Sequence, residues 1–198
     1  MKNGATLVNG VRVKSVLTDG SRAVGVELKR RGRTYRVEAP TVVLGAGGIG
    51  SAEILRRSGV ENAGHDFFVD PLILATGKVP DINEGREPQM QAGWHAQDEY
   101  VITDLAMPSV LTLSTMVKIK DGLGGRITNR GGCRKDLSRS DYGKLSDGFG
   151  HAKKILKNAG VESVSKSIVF AAHPGGTAKI GDVVDSNLKT ARDNLYVC

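Results

Sequence analysis

Val42-Val43-Leu44-Gly45-Ala46-Gly47-Gly48-Ile49-Gly50-Ser51-Ala52-Glu53-Ile54-Leu55-Arg56-Arg57-Ser58-Gly59 is the stretch on which the fold turns. Three apolar residues form a short buried-type strand, and the glycines after it satisfy G-x-G-x-x-G. Backbone N–H groups at the helix start that follows can face a phosphate, and glycine lets that phosphate come close. Ser51 is the expected N-cap of a helix over Ser51 to Arg57, and Ser58-Gly59 is its stop. A complete nucleotide-binding βαβ unit is one reading, with Asp66 or Asp70 about 20 residues on as the ribose-binding acid. Three observations oppose it: the helix is shorter than a crossover of ~10–12 residues needs, the motif follows several strands instead of opening its domain, and no β-α alternation continues beyond Asp70.

Toward the N-terminus the pattern is a β-meander. Val11 to Leu17 alternates apolar and polar residues, Thr18-Asp19-Gly20-Ser21 is a turn, and Ala23 to Leu28 is the returning strand. A basic turn, Lys29 to Arg33, leads into Thr34 to Val37, and Pro40 ends the run. Toward the C-terminus, strands are expected at Leu72 to Lys78, Met90 to His95, Tyr100 to Asp104 and Val110 to Lys118. Asp141 to Ala159 has helical apolar spacing, closed by Gly160. Ser167 to Ala172 is a strand that delivers His173-Pro174-Gly175-Gly176-Thr177, and Asn194 to Cys198 is a last strand.

Composition narrows the function classes. A charge of +7 invites a nucleic-acid partner, but aromatics are only 5% and the basic run lies in a hairpin turn, so a solvated loop is the better reading. Cys133 and Cys198 have neither metal-ligand spacing nor a disulfide framework, so no metal is expected and reduced thiols in a cytoplasm are. No run approaches the ~20 apolar residues that span a bilayer, and no apolar stretch follows Met1 to act as a signal, so no membrane partner is expected.

Of the four histidines, His65, His95 and His151 carry no local motif and are expected to be structural or surface residues. His173 differs. Pro174 biases its backbone to an extended conformation, Gly175-Gly176 allows a tight turn, and an imidazole with a pKa of about 6.5 suits proton transfer.

Arg22 to Glu27, the turn at Gly45-Ala46-Gly47 with Gly50-Ser51, and Ile54 to Gly59 resemble the glucose–methanol–choline oxidoreductase family. His173 to Ala178, with Gly181, Val184-Asp185, Asn187-Leu188 and Asn194 to Val197, looks like the same family's C-terminal block. Ala52 and Val60-Glu61 depart from its usual Pro and apolar-Gly pair. The resemblance implies an FAD-dependent oxidation of an alcohol CH–OH group, with hydride passing to flavin N5. It makes His173 the base, Ala46, Gly47 and Ser51 cofactor contacts, and Val13 a backbone contact near the adenine.

It also implies an α+β fold: a partial FAD-binding domain over residues 1–70, a substrate domain with a mainly antiparallel sheet flanked by helices over 71–172, and a return segment over 173–198. The family's N-terminal G-x-G-x-x-G unit, its Asp-Ala-Ser segment and its second catalytic residue have no counterpart in these 198 residues. The chain alone is therefore expected neither to hold FAD tightly nor to turn over a small-molecule alcohol. A separate FAD-domain polypeptide is a possible partner. Rival readings are a nicotinamide-dinucleotide enzyme built on Gly45 to Gly50 and a non-catalytic basic binding module.

Overall fold

The computed structural model describes residues 3–79, 88–97, 99–106, 112–128 and 131–198. The first elements are β1 (Arg12–Asp19), β2 (Arg22–Arg30), β3 (Arg33–Glu38), β4 (Val42–Leu44) and α1 (Gly47–Arg57). Then come β5 (Pro71–Lys78), β6 (Gly93–Ala96), β7 (Tyr100–Leu105), β8 (Thr112–Ile119), β9 (Arg126–Ile127) and β10 (Cys133–Arg134). Helix α2 (Arg139–Asn158), β11 (Ser165–Lys166), β12 (Phe170–Ala171) and β13 (Leu195–Val197) complete the chain. With mixed helices and mainly antiparallel sheets, the fold is α+β.

The chain divides into two compact units: residues 1–67, 124–135 and 175–198, and residues 68–123 with 136–174. The hairpin of β9 and β10 belongs to the first unit, a detour that a division at 70/71 and 172/173 does not contain. Backbone bonds explain it, because Phe67 and Gly125 exchange N–H donors at 3.0 Å and Ile127 N–H reaches Gly64 O at 2.7 Å.

In the first unit β1, β2 and β3 form the expected antiparallel meander. Strand β4 pairs in parallel with β13 from the far end of the chain, Val43 opposite Tyr196. Its core gathers Val16, Ala23, Val42, Leu44, Ile54, Leu55, Val184, Leu195 and Val197. Helix α1 begins at Gly47, one turn before the expected start, and Ala46 takes the cap position expected of Ser51. The glycines need no side-chain room in that first turn, so the helix extends back through them.

In the second unit the sheet order is β11-β5-β8-β7-β6, with β12 also on β5. Ile73 opposes Val117, Val117 opposes Ile102, and Ile119 opposes Tyr100, so one face is continuous and apolar. That face packs on Leu145, Ala152 and Leu156 of α2, the only helix on this sheet among the described residues. Ser138 and Asp141 form a capping box, which starts α2 two residues ahead of the expected Asp141. Gly148 of α2 sits where a Cβ would come within 2.4 Å of Val117 Cγ1 and 3.0 Å of the Tyr100 ring. The helix lies on the sheet at glycine distance.

Of the strand expected over Ser167 to Ala172 only Phe170–Ala171 (β12) is extended strand, and β11 (Ser165–Lys166) precedes the expected start. Ser167 exchanges backbone and hydroxyl bonds with Leu74, at 3.0 and 2.9 Å, and the pairing on β5 resumes only at Phe170. The strand expected from Met90 begins at Gly93, after Met90 itself takes φ +56°. Val110 of the fourth expected strand lies outside the described residues.

Candidate functional site

In the first unit, the glycine-rich turn and the segment after the histidine meet. Thr177, 2% exposed, donates its hydroxyl to Gly48 O, and its own carbonyl accepts the Gly64 N–H at 2.8 Å. The two motifs are thus tied together across 129 residues of sequence. Gly47 has φ +70°, and a Cβ placed there would meet nothing within 4 Å, so its outer side is open. Gly50 is closed: a Cβ there would lie 3.0 Å from Ala46 Cβ.

The N-terminus of α1 has no side-chain cap and no acid in its first turn. The positive end of the helix and its free N–H groups therefore fit an anionic diphosphate such as that of FAD. Ser51 is buried at 2% exposure, and its hydroxyl accepts the Ala46 N–H at 3.1 Å. That bond fixes the turn from inside. Val13 lies on β1 opposite Leu28, beside a register shift, with its side chain partly buried against the apolar core. The side chain is thus committed to packing, which leaves the backbone as the part able to meet a ligand. Strand β1 is joined to α1 by Arg12 to Glu53 at 3.1 Å and by Val16 N–H to Ser58 Oγ at 2.8 Å.

In the second unit, His173 follows β12 and Asp70 precedes β5, at the same end of an antiparallel pair. The pairing carries their side chains into contact, His173 Nδ1 to Asp70 Oδ2 at 3.3 Å. Lys118, which pairs with Leu72, places its Nζ 2.9 Å from the same Oδ2. Asp70 precedes a proline and has φ +55°, a conformation costing on the order of 1–3 kcal/mol in a non-glycine residue. Asp121, 5% exposed, holds it there: its carboxylate accepts the Asp70 N–H at 3.0 Å and the Val69 N–H at 3.2 Å. The imidazole is 58% exposed, so one nitrogen faces an acid while the ring stays open to a ligand.

From the sequence, Asp70 stands out only as a ribose-binding acid, and Lys118 and Asp121 do not stand out at all. A signal was available in the parallel dipeptides Asp70-Pro71 and His173-Pro174, each ending or starting an extended segment. The remaining histidines lie elsewhere: His65 against Arg56 at 3.4 Å, His95 on exposed β6, and His151 hydrogen-bonded to the Tyr100 hydroxyl. Among the described residues no cluster of three metal-ligating side chains occurs, Cys133 and Cys198 are exposed and free, and no helix is long and apolar enough to cross a membrane.

Known proteins resemble this chain in sequence and in fold. Residues 1–82 match the family model described as GMC oxidoreductase. An uncharacterized protein of Methanocaldococcus jannaschii is 26% identical over 177 residues, 82% of this chain and 46% of that protein. Oxygen-dependent choline dehydrogenase 1 of Chromohalobacter salexigens is 39% identical over 75 residues, 37% of this chain and 13% of that protein. Among solved structures, a formate oxidase of Aspergillus oryzae RIB40, studied for the modification of its FAD, aligns with a TM-score of 0.74 at 13% identity. That alignment covers 94% of this chain and 54% of the oxidase, and at such identity it is a likeness of fold. The chain spans about half the length of the solved structure and of the M. jannaschii protein, at 54% and 46%.

Proposed function

We propose, because this chain belongs to the GMC oxidoreductase family, that it forms the substrate-binding part and a portion of the flavin-binding part of an enzyme oxidising a small alcohol at its CH–OH carbon. The observation that carries this reading is the contact of His173 Nδ1 with Asp70 at 3.3 Å. With Nδ1 turned to a carboxylate, Nε2 is the nitrogen left to accept the hydroxyl proton of the substrate. FAD, when bound, supplies the acceptor for the hydride that leaves the same carbon.

The other residues position. Asp121 fixes the Asp70 backbone, and Asp70 fixes the imidazole, while Lys118 balances the charge of Asp70. Gly47 presents its backbone N–H to the cofactor's diphosphate, Ala46 lines that turn with its own N–H held by the Ser51 hydroxyl, and the Val13 backbone contacts the adenine end. Thr177 keeps the turn in place from the C-terminal side. Exposed, unbridged Cys133 and Cys198 suit a reducing cytoplasm.

These contacts are a fraction of what holds a dinucleotide, so these residues alone are expected not to retain FAD, and the further flavin contacts would come from outside them, a separate FAD-domain polypeptide being one source. An absorbance spectrum of the purified chain, before and after adding FAD, tests this. The expected result is no flavin band surviving gel filtration. Stoichiometric bound flavin would overturn it, and saturable binding of NAD in a parallel titration would favour the nicotinamide reading of Gly45 to Gly50.

A further inference from the structure

The second unit carries another candidate site, independent of His173. Helix α2 packs on β5, β7 and β8, while β6 is the outermost strand of the sheet. Trp94 of β6 pairs with Ile102, so it shares the sheet face that α2 covers, yet it is 46% exposed. Between β6 and α2 an open groove of about 720 Å³ is left, with Trp94 and His151 on its walls and Tyr100 on its floor.

The three rings are mutually ordered. Trp94 meets His151 edge-on at 5.3 Å and Tyr100 at a tilt at 5.8 Å, and the Tyr100 hydroxyl is bonded to His151 Nδ1. Gly150 of α2 lines the groove with nothing within 4 Å of a Cβ position, so ring-sized space stays open beside Trp94.

Charge decides what fits. Asp147 lines the groove, and its carboxylate acts on Tyr100, whose phenol is pushed above its usual pKa first by burial and then by that charge. Glu99 is already paired with Lys144 at 3.0 Å, whereas Asp147 has no ion-pair partner among the described residues. Lys154 lines the groove seven residues further along α2, about 10 Å away at 1.5 Å per residue, so the acidic and basic ends are separate. An exposed indole face beside an unpaired carboxylate is the arrangement that recognises an organic cation.

We propose that the Trp94–Tyr100–His151 groove binds a small, flat organic cation, its ring against Trp94 and its charge toward Asp147. This goes beyond the alcohol-oxidising reading and does not rest on it.

Trp94 is the only tryptophan of the chain, so its fluorescence reports on the groove directly. The probe is N-methylpyridinium chloride, titrated against the complete chain with sodium chloride at matched ionic strength as control. Saturable quenching with an unchanged excited-state lifetime is expected. The dissociation constant should rise about three- to fivefold in Asp147→Asn, the scale of one exposed charge contact, and return in Asp147→Glu. Linear quenching with a falling lifetime would mean collision alone and overturn the proposal. Saturable quenching that is equal in Asp147→Asn would overturn the assignment of the cation to this carboxylate. An unchanged emission maximum and thermal transition confirm that each variant is folded.

Discussion

If His173 is the proposed base, replacing it by alanine in a flavin-loaded enzyme that contains this chain is expected to lower kcat/KM for the proposed alcohol substrate by about 10²–10⁴-fold, the usual contribution of a positioned acid–base group. Stability should hardly change, because the side chain is 58% exposed and its ionic contact is with one partner. Asp70→Asn separates positioning from chemistry. It keeps the shape of the partner and removes its charge, so the rate should fall less, by about tenfold. The ring nitrogen that carries the proton, read from ¹⁵N shifts of His173 in the chain itself, should move from Nδ1–H toward a mixture. A His173→Ala enzyme with full activity would remove the base from this reading, and an unchanged tautomer in Asp70→Asn would reduce Asp70 to a surface acid.

The second large effect concerns Gly148. Helix propensity alone says that Gly→Ala in a helix stabilises by about 1 kcal/mol. Packing says the opposite here, since the added Cβ would lie 2.4 Å from Val117 Cγ1 and press on the Tyr100 ring. Overpacking of that kind costs typically ~1–3 kcal/mol, and the mouth of the Trp94 groove leaves Tyr100 little direction to retreat except out of its bond with His151. An approach of 2.4 Å puts the clash at the upper end of that range, so the packing term wins: Gly148→Ala is expected to destabilise the second unit by up to about 2 kcal/mol net, a fall of up to roughly 16 °C in its thermal midpoint at 4–8 °C per kcal/mol. Gly143, on the same helix with nothing within 4 Å of its Cβ position, is the control, and Gly143→Ala should raise the midpoint. If both variants are stabilised, α2 does not rest on the sheet at glycine distance.

What the sequence made legible was short in range. Alternation from Val11 to Val37 and the Asp19-Gly20 turn announce β1 to β3, and the apolar spacing from Tyr142 to Leu156 announces α2. Its start was missed by two residues, although Ser138 and Asp141 stand three apart, as a capping box requires. The other features that escaped depend on partners distant in the chain. The break at Ser167 exists because its hydroxyl meets Leu74, 93 residues away. The early start of α1 reflects glycines tolerated in a first turn that Thr177 steadies from 129 residues on. Asp70 becomes a partner of His173 only when β12 is laid against β5, and no local pattern announces that register. The motifs were readable, but the acid that completes one of them was not.

The path of the chain through its two units bears on how such an enzyme could be re-engineered. Unit one is built from three separate stretches, with the β9–β10 hairpin lying between two blocks of unit two. Swapping residues 71–172 for a relative's block, as a linear map of the gene would suggest, would carry off a hairpin that Gly64 and Phe67 hold by backbone bonds. A recipient built that way would lose part of the first unit's scaffold along with the exchanged block. A working graft needs two splices, at 68–123 and 136–174, with the host's own 124–135 left in place.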